Sequence, residues 1–231
     1  MSDSSYIQVQ NLNRQYVQGE IVVHALRDVN IAFQRGEFAA LVGPSGSGKS
    51  TLLNCMGALD KPTSGHVSID GKDVTRLNGN QLSDFRLQNI GFVFQAYNLV
   101  PVLTAYENVE YILLLQGIAP AKRKERIARL ASRMDMDDLM DRFPDQLSGG
   151  QQQRVAVARA LIGEPEVVLA DEPTANLDSH NAEKLIQLMQ QMCQETSTTF
   201  IFSTHDARVM QSARRLIHLR DGQVENDENR T

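Results

Sequence analysis

Phe38-Ala39-Ala40-Leu41-Val42 runs directly into Gly43-Pro44-Ser45-Gly46-Ser47-Gly48-Lys49-Ser50, and this passage decides the fold. An unbroken apolar run that ends in glycine predicts a strand buried on both faces, as in a parallel sheet. The residues after it match the G-x-x-x-x-G-K-[ST] pattern in full, and a helical stretch follows from Lys49 to about Leu59. Strand, glycine loop and helix start together make an anion cradle. The glycines let successive backbone N–H groups turn inward around phosphate oxygens, and the helix aims its positive end at the same point. Gly43, Ser45, Gly46, Ser47 and Gly48 are read as the cradle. Lys49 supplies a point charge to the β- and γ-phosphates, the Ser50 hydroxyl a Mg²⁺ ligand, and Thr51 a contact on the α-phosphate side.

Upstream, Tyr6 to Phe33 alternates apolar and polar residues with turn signals at Gly19 and Asp28, which predicts short antiparallel strands. Downstream, Gly65–Gly71 and Ile90–Phe94 read as further strands. From Ala96 to Gln153 strand-like runs give way to helical periodicity. Thr104 and Glu107 have capping-box spacing, and Pro120 opens a helix with Lys122, Arg123, Lys124, Arg126 and Arg129 on a solvated face. Strand–helix alternation then returns: Val167–Ala170, a helix over Ala182–Gln194, Thr199–Ser203, and Leu216–Leu219 closing the sheet. Glu225–Thr231 is polar and expected to fray. The pattern is an α/β core interrupted by one helical insertion.

Two further segments belong with the phosphate loop. Asp171-Glu172 follows the buried strand at Val167–Ala170, and a carboxylate at the C-terminal edge of a parallel strand faces the ligand crevice. Asp171 is placed to hold Mg²⁺, and Glu172 to polarise a water for in-line attack on a γ-phosphate. Leu147-Ser148-Gly149-Gly150-Gln151 has the S-x-x-Q capping spacing and opens a helix through Leu161. Two glycines in a first turn cost up to about 1 kcal/mol each relative to alanine, so something must approach that backbone closely. A phosphate is the natural candidate.

From about Tyr6 to Gly222 the sequence resembles the ATP-binding-cassette (ABC) ATPases, and Leu147–Gln151 matches their signature. The resemblance implies an α/β fold with a P-loop NTPase, RecA-like core, an antiparallel β subdomain and an inserted α-helical subdomain. It implies a single domain over 1–231, with the core and β subdomain in 1–95 and 154–231 and the helical subdomain in 96–153. It further implies ATP and Mg²⁺ as ligands and an ATP-bound homodimer, each ATP lying between one copy's phosphate loop and the other's Ser148, Gly149, Gly150 and Gln151. Tyr16 falls where the family stacks an aromatic on adenine. Gln95 matches the glutamine that senses Mg²⁺, attacking water and membrane partner. Ala175-Asn176-Leu177-Asp178 matches the loop that crosses the dimer interface, with alanine where serine is usual. His205 matches the histidine that contacts the γ-phosphate and holds Glu172.

Met56–Gly65 and Asn98–Val109 look like the macrolide-exporter and lipoprotein-release ATPases (the MacB/LolD type). In that branch the membrane partner transmits the ATPase motion to a periplasmic domain. Partner docking is expected in the helical insertion, near Tyr97, Leu99, Val100 and Leu103. The alternative is a cell-division ATPase that regulates cell-wall hydrolases through a membrane partner. The chain runs on for only 26 residues after His205, so no C-terminal regulatory domain is expected.

Composition is consistent with this and narrows it. A net charge of −5 over 231 residues argues against a broad basic face for nucleic acid. No apolar run approaches the ~18 residues of a membrane span; the strongest, Tyr111–Leu115, is far too short, so direct lipid insertion is not expected. The spanning permease should lie on a separate chain, with this one peripheral on the cytoplasmic face of a bacterial inner membrane. Met1–Tyr6 has no leader pattern. Cys55 and Cys193 cannot form a disulfide framework and read as buried thiols of a reducing compartment.

Overall fold

The structure, a computed structural model, describes residues 5–230. The segment read as lacking a leader lies mostly outside them. Strand β1 (Ile7–Gln18) pairs antiparallel with β2 (Ile21–Phe33), and β3 (Phe38–Val42) leads through the glycine loop to helix α1 (Lys49–Met56). Next come β4 (Ser64–Ile69), the short β5 (Lys72–Asp73), α2 (Gly79–Asn89) and β6 (Ile90–Val93). Helices α3 (Ala105–Leu115), α4 (Pro120–Arg133) and α5 (Gly149–Leu161) form the helical segment. The chain then alternates β7 (Val167–Asp171), α6 (Ser179–Thr196), β8 (Thr199–Thr204), α7 (Ala207–Ser212), β9 (Arg215–Arg220) and β10 (Gln223–Asn229).

Two sheets result. One is antiparallel, in the order β2-β1-β4-β5; the other has the order β10-β9-β3-β8-β7-β6. Every pairing in the second sheet is parallel except β9 with β10. Alternate residues of its strands face opposite sides. Phe38, Ala40, Val42, Phe200 and Phe202 pack toward α3 to α6, whereas Ala39, Leu41, Ile201, Ile217 and Leu219 pack toward α1 and the antiparallel sheet. All of β3 is buried for this reason, which explains its unbroken apolar run.

The structure departs from the sequence reading in several places. The turn expected at Asp28 falls inside the long strand β2, at a positive-φ residue (+48°) where its pairing with β1 shifts register. Helix α1 ends at Met56 rather than near Leu59, and α7 was not predicted. Helix α2 was not foreseen: it buries only Phe85, so it has no apolar stripe, and its signal is the capping box between Asn78 and Gln81. Glu225–Thr231 was expected to fray. Instead Gln223–Asn229 forms the edge strand β10, held by Arg215, which bonds both carboxylate oxygens of Asp227 at 2.7 and 2.6 Å and Glu37 at 2.8 Å. The strand is bound through charge, so its polarity conceals it. Finally, the basic face of α4 is only partly solvated. Lys122 and Lys124 are exposed, but Arg123 is turned in onto Glu110 at 2.8 Å and the Ile118 carbonyl at 2.7 Å.

Candidate nucleotide site

The glycine loop lies at the C-terminal edge of the central sheet, between β3 and α1. Gly43 has φ +155°, and a Cβ there would meet the Leu219 carbonyl oxygen at 2.2 Å, so the loop can run this close to β9 only as glycine. Lys49 is buried, and its Nζ donates to the carbonyls of Gly43 and Pro44 at 2.8 and 3.0 Å. Ser47 Oγ is buried with no hydrogen-bond partner among the described residues. A lysine folded onto its own loop and an unpartnered hydroxyl fit a cradle whose polar groups match an anion.

The residues expected on the catalytic side meet through strand register. Asp171 on β7 pairs with Ser203 on β8. The Ser203 hydroxyl donates to Asp171 Oδ1 at 2.6 Å and accepts the Glu172 N–H at 2.8 Å, while Ser50 Oγ donates to the same Asp171 oxygen at 3.0 Å. Ser50 and Asp171 are hard oxygen donors of the kind Mg²⁺ takes, one or two protein ligands being usual beside phosphates and water. The residues present therefore fit that ion. Glu172 has left-handed backbone (φ +47°), a conformation uncommon for a non-glycine residue. Its Oε1 lies 2.9 Å from His205 Nδ1. Glu172 is largely sheltered, whereas the His205 ring projects into solvent with 71% of its side chain exposed.

The remaining predicted residues lie around this centre. Gln95 is exposed just after β6, and its carbonyl accepts from Asn176 Nδ2 at 3.1 Å. Thr51 lies in the first turn of α1 and is half-buried. Tyr16 is 39% exposed, its hydroxyl on Asp60 at 2.5 Å. The Arg14 guanidinium lies 4.4 Å from its ring centroid, so one side of the ring is already covered. Burial and the Asp60 carboxylate hold the Tyr16 phenol above its ordinary pKa.

Ser148 caps α5, with Gln151 closing the capping box. Gly149 has a reason internal to the chain, for a Cβ there would sit 2.9 Å from the Tyr97 hydroxyl. Gly150 and Gln151 border a cavity of about 320 Å³ with Arg154 and Asn181. Asp178 caps α6, accepting from His180 and Asn181, and these hydrogen bonds hold its carboxyl below the usual range. Both cysteines are buried and free; burial pushes the Cys55 thiol up to about 12.

Of the apolar residues placed near a docking surface, Tyr97, Leu99 and Leu103 are only partly exposed, and Leu99 packs against the core. Val100 and Val102 are exposed, Val102 to 76%, along with Tyr111, Leu114 and Leu115 on α3. Among the described residues no helix is long and apolar enough to cross a membrane.

Sequence reasoning assigned no role to Ser203, Arg14 or Asp60. Register alone brings Ser203 to Asp171, and no local pattern marks it. The basic and acidic pair Arg14 and Asp60, bonded at 2.7 Å, is separated by the entire glycine loop and α1.

The profile of the ABC transporter family matches residues 26–175. The uncharacterized ABC transporter ATP-binding protein MJ0796 of Methanocaldococcus jannaschii is 46% identical over 226 residues, 96% of each chain. The macrolide export ATP-binding/permease protein MacB of Aggregatibacter actinomycetemcomitans is 45% identical over 221 residues. That match covers 96% of this chain but 34% of MacB, so the chain spans about a third of the length of such relatives. A dimeric structure of MJ0796 in a post-hydrolysis state with ADP and Pi superposes with a TM-score of 0.92 at 43% identity, covering 96% of this chain and 98% of that one.

Proposed function

This chain belongs to the ABC transporter family, and on that premise we propose that it is an ATP-hydrolysing subunit that dimerises on ATP and drives a separate membrane permease. The observation that carries the reading is the convergence of the glycine loop, the Ser50–Asp171–Ser203 hydrogen bonds and the Glu172–His205 contact at one sheet edge.

In this reading the loop amides of 43–48 and Lys49 bind the phosphates, Lys49 exchanging its two carbonyl partners for phosphate oxygens. Ser50 and Asp171 would hold Mg²⁺, with Gln95 as a further contact. When bound, the ion offsets phosphate charge and orients the nucleotide. Glu172 takes the proton of the attacking water as general base, and His205 orients Glu172 through Nδ1. Tyr16 packs its free side against the base. The phosphate loop and the Ser148–Gln151 turn of one chain serve different nucleotides, so a second copy supplies Ser148, Gly149, Gly150 and Gln151 across each ATP, with Asp178 at the junction. ATP then favours the closed pair and hydrolysis reopens it.

We extend the proposal to a core in 1–95 and 154–231 with a helical subdomain in 96–153, whose exposed Val100 and Val102 face the permease. The 45% identity to MacB favours the macrolide-export and lipoprotein-release branch, working at the cytoplasmic face of the membrane. The decisive variant is Glu172→Gln. It should bind MgATP and elute as a stable dimer by size exclusion with light scattering, with turnover reduced at least about 100-fold. Unchanged turnover would remove Glu172 as the base.

A further inference from the structure

Arg159 lies near the C-terminal end of α5, and burial lowers the pKa of its guanidinium. Among the described residues no carboxylate lies within ion-pair distance of it. Its partners are two successive carbonyls, Tyr97 O at 2.8 Å and Asn98 O at 2.6 Å. Both of those residues have positive φ, +60° and +50°, a conformation asparagine tolerates but the bulky tyrosine adopts at a cost. A part-buried cation without a counter-ion gains little stability from its position. What this one does is hold a strained turn two residues after Gln95.

The same turn also touches the other end of α5. The Tyr97 hydroxyl crowds Gly149, in the signature turn, so closely that a Cβ there would lie 2.9 Å away. Gly149 and Arg159 are ten residues apart, about 15 Å along a helix. One helix therefore meets one loop at both ends, gripped through Arg159 and closely approached at Gly149, and that loop is bonded through the Gln95 carbonyl to Asn176.

We propose that Arg159 is a positioning residue that locks the Gln95 loop to α5, so that the signature turn and the permease-facing loop move as one body. Displacement of Ser148–Gln151 by a partner's ATP is then passed to Gln95 and to the apolar stretch after it without slack. This rests on the roles given above to Gln95 and the signature turn.

The test is a double-mutant cycle on the full chain with Arg159→Lys, which keeps the charge but loses the two-point grip, and Gln95→Ala. Arg159→Lys should lower kcat for MgATP about tenfold or more with KM for ATP within about twofold of the parent. The double variant should be no slower than Gln95→Ala alone. Effects that multiply in the double variant, or full kcat in Arg159→Lys, would overturn the proposal, because a merely structural arginine acts independently of Gln95. Hydrogen exchange in the same variant judges the tether itself. The Tyr97 and Asn98 amides should exchange at least about tenfold faster while those in the middle of α5 do not change; unchanged loop exchange also overturns it. If the loop loosens as expected but Gln95→Ala turns over normally, the tether stands and the role given to Gln95 falls.

Discussion

Ser203→Ala probes the junction on which the site depends. The hydroxyl is fully buried and makes two hydrogen bonds, one to the Asp171 carboxylate at 2.6 Å and one from the Glu172 N–H at 2.8 Å. A hydrogen bond to a charged group contributes about 1.5–3 kcal/mol, and a donor left unpaired on burial costs about 1–3 kcal/mol. Asp171 keeps its bond from Ser50, and the Glu172 amide can relax toward solvent because that residue lies just past the end of the strand. The net loss should therefore fall near 2–4 kcal/mol rather than at the sum. For a chain of this size each kcal/mol moves Tm by about 2–4 °C, so nucleotide-free protein should melt roughly 5–15 °C lower. Turnover should fall as well, since the left-handed Glu172 backbone loses the contact that holds it. Differential scanning calorimetry and an ATPase assay on the same preparation read both effects. A Tm within 1 °C of the parent, together with unchanged kcat, would refute the reasoning, because it would mean that neither bond is made.

Two glycines of the loop should separate sharply. Gly46→Ala meets open space and carries only backbone strain at φ +78°, so about 1 kcal/mol should be lost and the protein should still fold by circular dichroism. Gly43→Ala drives a Cβ to 2.2 Å from the Leu219 carbonyl oxygen, and because backbone cannot step aside, the variant should be insoluble or fail to bind ATP in equilibrium dialysis. Arg215→Met should release β10: with Asp227 and Glu37 left without their part-buried partner, about 2 kcal/mol should be lost. Hydrogen exchange should then show the 223–229 amides unprotected while β3 and β8 keep their protection.

What could be read in the sequence was contiguous. The phosphate loop needs its glycines, lysine and serine in one run, because successive backbone N–H groups must face one anion, so the run declares itself. The capping boxes at Thr104–Glu107 and Ser148–Gln151 were legible for the same reason, and both form. Strands β3 and β8 were legible because burial on both faces demands an unbroken apolar run. Helix α2 and strand β10 escaped because neither buries enough apolar surface to create a period, and one is announced only by a cap and the other only by ion pairs. The parts that touch across the sheet were decided by tertiary structure alone. Asp171 meets Ser203, Glu172 meets His205 and Arg159 meets Tyr97 at separations of 32 to 62 residues, set by strand register and by the packing of α5 on the loop after β6. Local propensity carries no information at that range; a one-residue slip of β8 against β7 would leave every motif intact and turn Ser203 away from Asp171.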